Sequence, residues 1–134
     1  MVATLVYLSL QVRQNSKLAR ATIRETRTDS SQKVIFAMAD ASDILSKPQD
    51  ELTVAENAKL KMLFRGMFRD FEAYSYQHHA GLLDETEWIA MHETWRDIMS
   101  SARNRAIWKE YEAQYTTILH EDLKEILSKE ATQL

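Results

Sequence analysis

The four histidines are the residues of this sequence best suited to metal or acid–base chemistry: His78, His79, His92 and His120. Neither HExxH nor ExxH, the helical spacings used by zinc proteases and di-iron bundles, occurs in the sequence. On a helix, His78 and His79 point about 100° apart, so they cannot easily share one ion. The sequence therefore predicts no metal site and no cofactor.

Two polar residues next to apolar helix faces are candidates for a structural role. Glu72 follows Phe71 on a strongly apolar helix, and His92 lies close to Trp88 and Trp95. We expect Glu72 to be half-buried and to accept hydrogen bonds from a tyrosine, a tryptophan or one of four arginines: Arg69, Arg96, Arg103 or Arg105. We expect His92 to be a core-edge histidine with a hydrogen-bond partner. A catalytic acid needs a second perturbed group in a cleft, and the spacing identifies none.

Composition excludes several classes of enzyme. Cysteine is absent, which rules out thiolate nucleophiles, disulfides and iron–sulfur clusters. The two glycines are 15 residues apart and cannot form a nucleotide-binding loop, and no GxSxG nucleophile elbow is present. An enzyme that uses Glu72 and His92 as acid/base groups or metal ligands remains the least favoured of three hypotheses.

The elements that position these residues are predicted to be helices. A chain of 134 residues is the size of one domain, and 45% apolar with 28% charged residues is a globular balance. Two glycines and one proline are too few for the turns of a sheet protein. The predicted fold is all-α, with a long N-terminal helix followed by a small bundle of about three helices over residues 50–130.

Local signals give the expected helix boundaries. Lys47-Pro48 ends the first helical region, and the polar residues 28–31 favour a break within it. One apolar stripe predicts a single last helix from about Arg103 to Lys129.

Capping boxes mark the starts of the two helices between these regions. Thr53 with Glu56 predicts the start of the second helix, and Asp84 with Glu87 predicts the start of the third. Gly81 is expected to end the second helix in a left-handed conformation.

Residues 1–12, MVATLVYLSLQV, form an uncharged apolar segment. Twelve helical residues cover about 18 Å, and a bilayer span needs about 20 residues, so this segment cannot cross a membrane by itself. A signal peptide is a poor match, since nothing charged precedes the apolar residues. Three interpretations remain: a core helix, a helix on the bilayer surface, or the end of a longer span that begins before Met1.

Residues 13–46 are predicted to form a basic juxtamembrane helix. Five cations follow the apolar segment at spacings of 4, 3, 4 and 3, which places them on one helix face: Arg13, Lys17, Arg20, Arg24 and Arg27. Residues 1–46 carry a net charge of +2, and residues 47–134 carry −5. We expect these five cations to bind anionic lipid head groups. The alternatives are pairing with the acidic region or binding of nucleic acid, and no nucleic-acid partner is predicted because no aromatic residue interleaves with the cations.

Several short stretches resemble a known pattern. They include Val6-Tyr7-Leu8 and residues 11–15 near the start, followed by a later set: Phe71-Glu72, Tyr76-Gln77, residues 81–85, Trp88 and Trp108. Together they resemble a group of uncharacterised bacterial proteins with an N-terminal transmembrane helix, an LVYLxxQxRQN segment at its end, and a small helical domain. In that group a longer apolar run precedes the segment, whereas Met1 of this chain falls within the run. The resemblance implies a bacterial inner-membrane protein with its helical domain in the cytoplasm.

The favoured hypothesis is a membrane-tethered helical interaction or structural module. Residues 1–12 would insert, the cations would hold the head groups, and the acidic domain would be repelled outward to meet a protein partner. The alternative is a soluble helical homo-oligomer in which the N-terminal helix forms the seam between copies.

Overall fold

The computed structural model describes residues 2–132, and side chains for residues 2–129. Within this part the chain is all-helical, which confirms the predicted fold class. Six α-helices follow one another: α1 (Val2–Asp40), α2 (Ser42–Ser46), α3 (Val54–His79), α4 (Glu85–Met99), α5 (Ala102–Tyr111) and α6 (Thr117–Thr132). Two short 3₁₀ turns, Gln49–Glu51 and Glu112–Gln114, precede α3 and α6.

The bundle contains more helices than the sequence predicted. The single helix expected from about Arg103 to Lys129 is divided into α5 and α6, so the count of about three helices after the first is too low. The division is fixed from α3: Arg69 Nη2 donates to the Gln114 carbonyl (3.0 Å), and the Tyr115 hydroxyl donates to the Arg65 carbonyl (3.0 Å). These contacts hold the backbone between the two helices in a non-helical path.

The break expected at residues 28–31 is absent, and α1 continues to Asp40. The hydroxyls of Thr26 and Thr28 donate to the carbonyls four residues earlier, at 2.9 and 3.0 Å, which is compatible with a helix. The helical axis is instead interrupted at the buried Ala41, before the short α2.

Of the two predicted capping boxes, one is confirmed and one is wrong. Thr53 Oγ1 accepts from the Glu56 N–H, and the Glu56 carboxylate accepts from the Thr53 N–H, both at 3.1 Å. Asp84 does occupy the N-cap position of α4, but its side chain makes no capping hydrogen bond and instead accepts from Arg24 Nη2. Gly81 has φ of 72°, which confirms the predicted left-handed end of α3.

Helix α3 lies at the centre of the fold and contacts the other five helices. Phe68, fully buried on α3, has its ring centroid 5.4 Å from that of Trp95, 5.0 Å from Trp108 and 5.7 Å from Tyr115. Aromatic rings at these separations add specific stacking energy to the burial of their apolar area. The packing of α3, α4, α5 and α6 therefore forms one continuous core, on which the C-terminal half of α1 lies.

Candidate functional site

The first half of α1 lies outside this core. Every side chain from residue 2 to residue 22 is exposed, and the large apolar ones in residues 2–12 are between 49% (Leu8) and 76% (Val2) exposed. Met1 of the predicted apolar segment lies outside the described residues. Within residues 2–132, no helix combines the length and the apolar character needed to cross a bilayer.

The apolar side chains of this segment are not confined to one stripe. At 100° per residue, the apolar residues from Val2 to Val12 cover about 260° of the helix circumference, and Thr4 and Gln11 occupy the remainder together. A seam between two helices needs only a narrow stripe. An apolar surface this wide is instead typical of a helix whose surroundings are apolar on most sides.

The structure divides the five predicted lipid-binding cations into two groups. Arg13 and Lys17 are exposed and form no ion pair with any side chain that the structure describes. Arg20 Nη2 reaches the Gly81 carbonyl at 3.4 Å, and Arg24 pairs with Asp84 and Glu87 at the start of α4.

Arg27 is the most enclosed of the five, with 12% of its side chain exposed. Its Nη1 donates to the Asp70 carboxylate at 3.2 Å and to the Asp70 carbonyl at 3.3 Å. The guanidinium lies 4.9 Å from the centre of the Tyr74 ring, and Ser30 Oγ donates to the same Asp70 oxygen at 2.9 Å. Arg27 thus attaches α1 to α3, in agreement with the alternative in which these cations pair with the acidic region.

Glu72 connects α3 to the start of α6. Its carboxylate accepts from Arg69 Nη1 at 2.9 Å, from the Thr116 N–H at 2.8 Å and from the Thr116 hydroxyl at 3.1 Å. Burial raises the pKa of Glu72, but the hydrogen bonds from Thr116 and Arg69 outweigh it, so the pKa lies below its usual value. With only 16% of the side chain exposed, this carboxylate has its acceptor sites occupied by structural donors.

His92 lies in a second polar cluster, between α4 and α6. One ligand atom each from His92, Asp122 and Glu125 lies within 4.8 Å of the other two. His92 has no hydrogen-bond partner among the described side chains, and its ring lies 5.1 Å from that of Trp88. Burial lowers the pKa of His92, and this effect is larger than the opposing effect of the Glu125 and Asp122 charges. The pKa therefore lies below its usual value, and the imidazole is neutral near pH 7.

Asp122 is the enclosed member of this cluster. Its side chain is 9% exposed; Oδ1 lies 3.5 Å from His79 Nε2, while Oδ2 is buried without a hydrogen-bond partner. Glu125 is 56% exposed, and its Oε1 accepts from Lys129 Nζ at 3.1 Å. The cluster therefore contains a neutral imidazole and two carboxylates, one of them with an unused buried oxygen.

Glu72 and His92 are not brought together by the fold. Glu72 contacts Thr116, whereas His92 faces Asp122 and Glu125, at least six residues, or about 9 Å, further along the α6 segment. The two residues therefore make no direct contact in the part of the chain that the structure describes, and the hypothesis of an enzyme that uses both stays a prediction.

The remaining histidines make structural contacts. The His78 ring stacks on Trp88 with centroids 4.2 Å apart, and His120 Nε2 donates to the Glu112 carbonyl at 2.6 Å. His120 also lines a cleft of about 560 Å³ with Arg105 and Lys124. Arg105 donates to the Met99 and Ser100 carbonyls, so its guanidinium is engaged in hydrogen bonds to the C-terminal end of α4.

Asp122 and Glu125 were not identified from the sequence. Their i, i+3 spacing places them on one face of a helix, but this spacing is common among surface acids. The informative partner, His92, is 30 residues earlier in the sequence and is brought close only by the packing of α4 on α6. The sequence could have suggested the cluster only if the polar residues that border the apolar face of each predicted helix had been compared between helices.

The similarity of residues 5–15 to the LVYLxxQxRQN segment stays a prediction. Comparisons with protein-family models, with curated proteins and with solved structures found no match to this chain.

Proposed function

We propose that this protein is a membrane-tethered helical module whose first helix inserts into an anionic lipid surface. The observation that carries this proposal is the wide, exposed apolar surface of residues 2–12, followed directly by the exposed cations Arg13 and Lys17. Contiguous exposed apolar surface of this kind marks an interaction site. A lipid surface matches it because apolar residues face most directions around the helix and are followed by positive charge.

Apolar contact dominates the energetics of the proposed insertion. Burial of one large apolar side chain contributes about 1.5–3 kcal/mol, and residues 2–12 contain seven such side chains. Each cation near an anionic leaflet adds about 1 kcal/mol, so Arg13 and Lys17 together supply about 2 kcal/mol. The cations therefore determine the preference for anionic over neutral lipid, while the apolar residues supply most of the affinity.

The proposed location is the bacterial inner membrane with the helical domain on its cytoplasmic side. Support comes from the order of charges, since cations that follow an apolar segment favour the cytoplasmic face, and from the resemblance to bacterial membrane proteins. The domain over residues 50–130 would then present its acidic surface to a protein partner. The activity proposed here is placement of that partner at the membrane, without a chemical step.

Vesicle co-sedimentation of the full chain tests the proposal. The wild type is expected to bind vesicles of phosphatidylcholine with phosphatidylglycerol more strongly than vesicles of phosphatidylcholine alone. Arg13→Glu with Lys17→Glu should remove most of this preference, whereas the matched control Lys33→Glu with Lys59→Glu should retain it. Arg24 and Arg27 are unsuitable targets because they pair with residues of the helical domain.

A second pair of variants tests the apolar contribution. Leu5→Asp with Leu8→Asp should abolish binding to both kinds of vesicle, with an unchanged circular dichroism spectrum for the rest of the chain. If the wild type ignores vesicles and light scattering shows a monodisperse dimer in buffer without detergent, the proposal fails. The homo-oligomer with α1 as its seam is then the correct description.

A further inference from the structure

We propose that His92, Asp122 and Glu125 form a binding site for one divalent transition-metal ion of the Zn²⁺ class, which links α4 to α6. The three residues come from two different helices, and their ligand atoms lie within 4.8 Å of one another. This inference is independent of the proposed membrane function, because the cluster contains no residue of α1.

The unused oxygen of Asp122 is the observation that points to a ligand. A carboxylate oxygen that is buried without a donor is unfavourable, because it has lost its hydration and gained no hydrogen bond. Asp122 Oδ2 is in this position although the side chain is only 9% exposed. A cation bound between Asp122 and His92 would supply the missing interaction.

The ligand set favours a particular class of ion. One imidazole nitrogen with two carboxylates suits Zn²⁺, Mn²⁺ or Fe²⁺, whereas Mg²⁺ and Ca²⁺ prefer all-oxygen sites with more ligands. No described side chain forms a hydrogen bond with the His92 imidazole, so a ring nitrogen lone pair is available to an ion that binds beside Asp122 and Glu125. His79, 3.5 Å from Asp122 Oδ1, is placed to orient that carboxylate from outside the site.

The cluster must contract slightly to hold an ion. Ligand atoms about 2.1 Å from a tetrahedral zinc lie about 3.4 Å apart, which is closer than the widest separation in the cluster. Glu125 can make this movement because it is exposed, and its partner Lys129 forms only a surface pair with it. Three protein ligands leave at least one coordination position for water.

Isothermal titration of the full chain with Zn²⁺ alone, in a mild detergent, tests the site. The wild type should bind one ion per chain with micromolar affinity. Glu125→Gln should raise the dissociation constant at least tenfold. Glu121→Gln, one turn earlier on α6 and also exposed, should leave the dissociation constant unchanged and serves as the matched control.

A spectroscopic readout separates this site from zinc held elsewhere by surface histidines. Co²⁺ bound to the wild type should give visible d–d bands that His92→Gln and Asp122→Asn both lose, while circular dichroism shows that both variants are folded. The proposal is overturned if the wild type binds no Zn²⁺ in the micromolar range. It is equally overturned if Glu125→Gln and Asp122→Asn bind Zn²⁺ as tightly as the wild type.

Discussion

Replacement of Asp70 by alanine should weaken the attachment of α1 to the helical domain. Asp70 Oδ1 accepts from Arg27 Nη1 at 3.2 Å and from Ser30 Oγ at 2.9 Å, and both bonds are lost in Asp70→Ala. The side chains of Arg27 and Asp70 are only 12% and 14% exposed, so water does not fully replace the missing partner. Arg27 would be left as a mostly buried cation beside α3.

The size of the effect follows from these contacts. A hydrogen bond to a charged group contributes about 1.5–3 kcal/mol, and loss of a buried ionic partner costs up to about 3–5 kcal/mol. Arg27 keeps its bond to the Asp70 carbonyl and its position over Tyr74, which reduces the loss. We therefore expect Asp70→Ala to lower the free energy of unfolding by about 2–3 kcal/mol.

Urea unfolding measures this change, with far-UV circular dichroism as the probe of all helices and tryptophan fluorescence as the probe of α4 and α5. Asp29→Ala is the matched control, because Asp29 pairs with Lys33 on the exposed side of α1 and its loss should cost under about 0.5 kcal/mol. A destabilisation by Asp70→Ala no larger than that of Asp29→Ala would refute the reasoning.

Three further predictions concern local features of the fold. Thr53→Ala should lower the free energy of unfolding in urea by about 1 kcal/mol, because it removes the capping bond to the Glu56 N–H. Gly81→Ala should lower the free energy of unfolding by about 1 kcal/mol in the same measurement, because φ of 72° is unfavourable for alanine. Nothing lies within 4 Å of the added carbon, so no steric clash contributes, and a negligible effect would contradict this backbone explanation. At pH 7 Glu72→Gln should be less stable than the wild type by about 1 kcal/mol. Because the pKa of Glu72 is lowered from 4.5, this difference should shrink as the pH falls below 4.5, and a constant difference would contradict the assignment.

Local sequence signals predicted the elements whose causes are themselves local. The Thr53 capping box and the left-handed Gly81 depend on residues within a few positions of each other, and both are present. The apolar helix face predicted next to Glu72 is also present, as the buried face of α3 that includes Phe71.

The features that were missed depend on distant residues. The interruption between α5 and α6 is held by contacts from Arg69 and Glu72 of α3. Residues 112–116 contain no glycine or proline, so the local sequence does not predict it. The carboxylate of Asp84 was expected to cap α4, but Arg24, 60 residues earlier, takes it. The cluster of His92 with two α6 acids has the same origin, because helix packing brings its members together.

The uninterrupted course of α1 has a mechanical consequence for a molecule that is anchored through residues 2–12. Residues 13–19 form a helical spacer of about 10 Å between the anchor and Arg20, whose guanidinium reaches the Gly81 carbonyl of the domain. This standoff is only slightly longer than the Debye length of about 8 Å at physiological ionic strength, so the repulsion between the acidic domain and an anionic leaflet is partly screened. The tilt of α1, together with the remaining repulsion, then sets how far the domain reaches from the lipid.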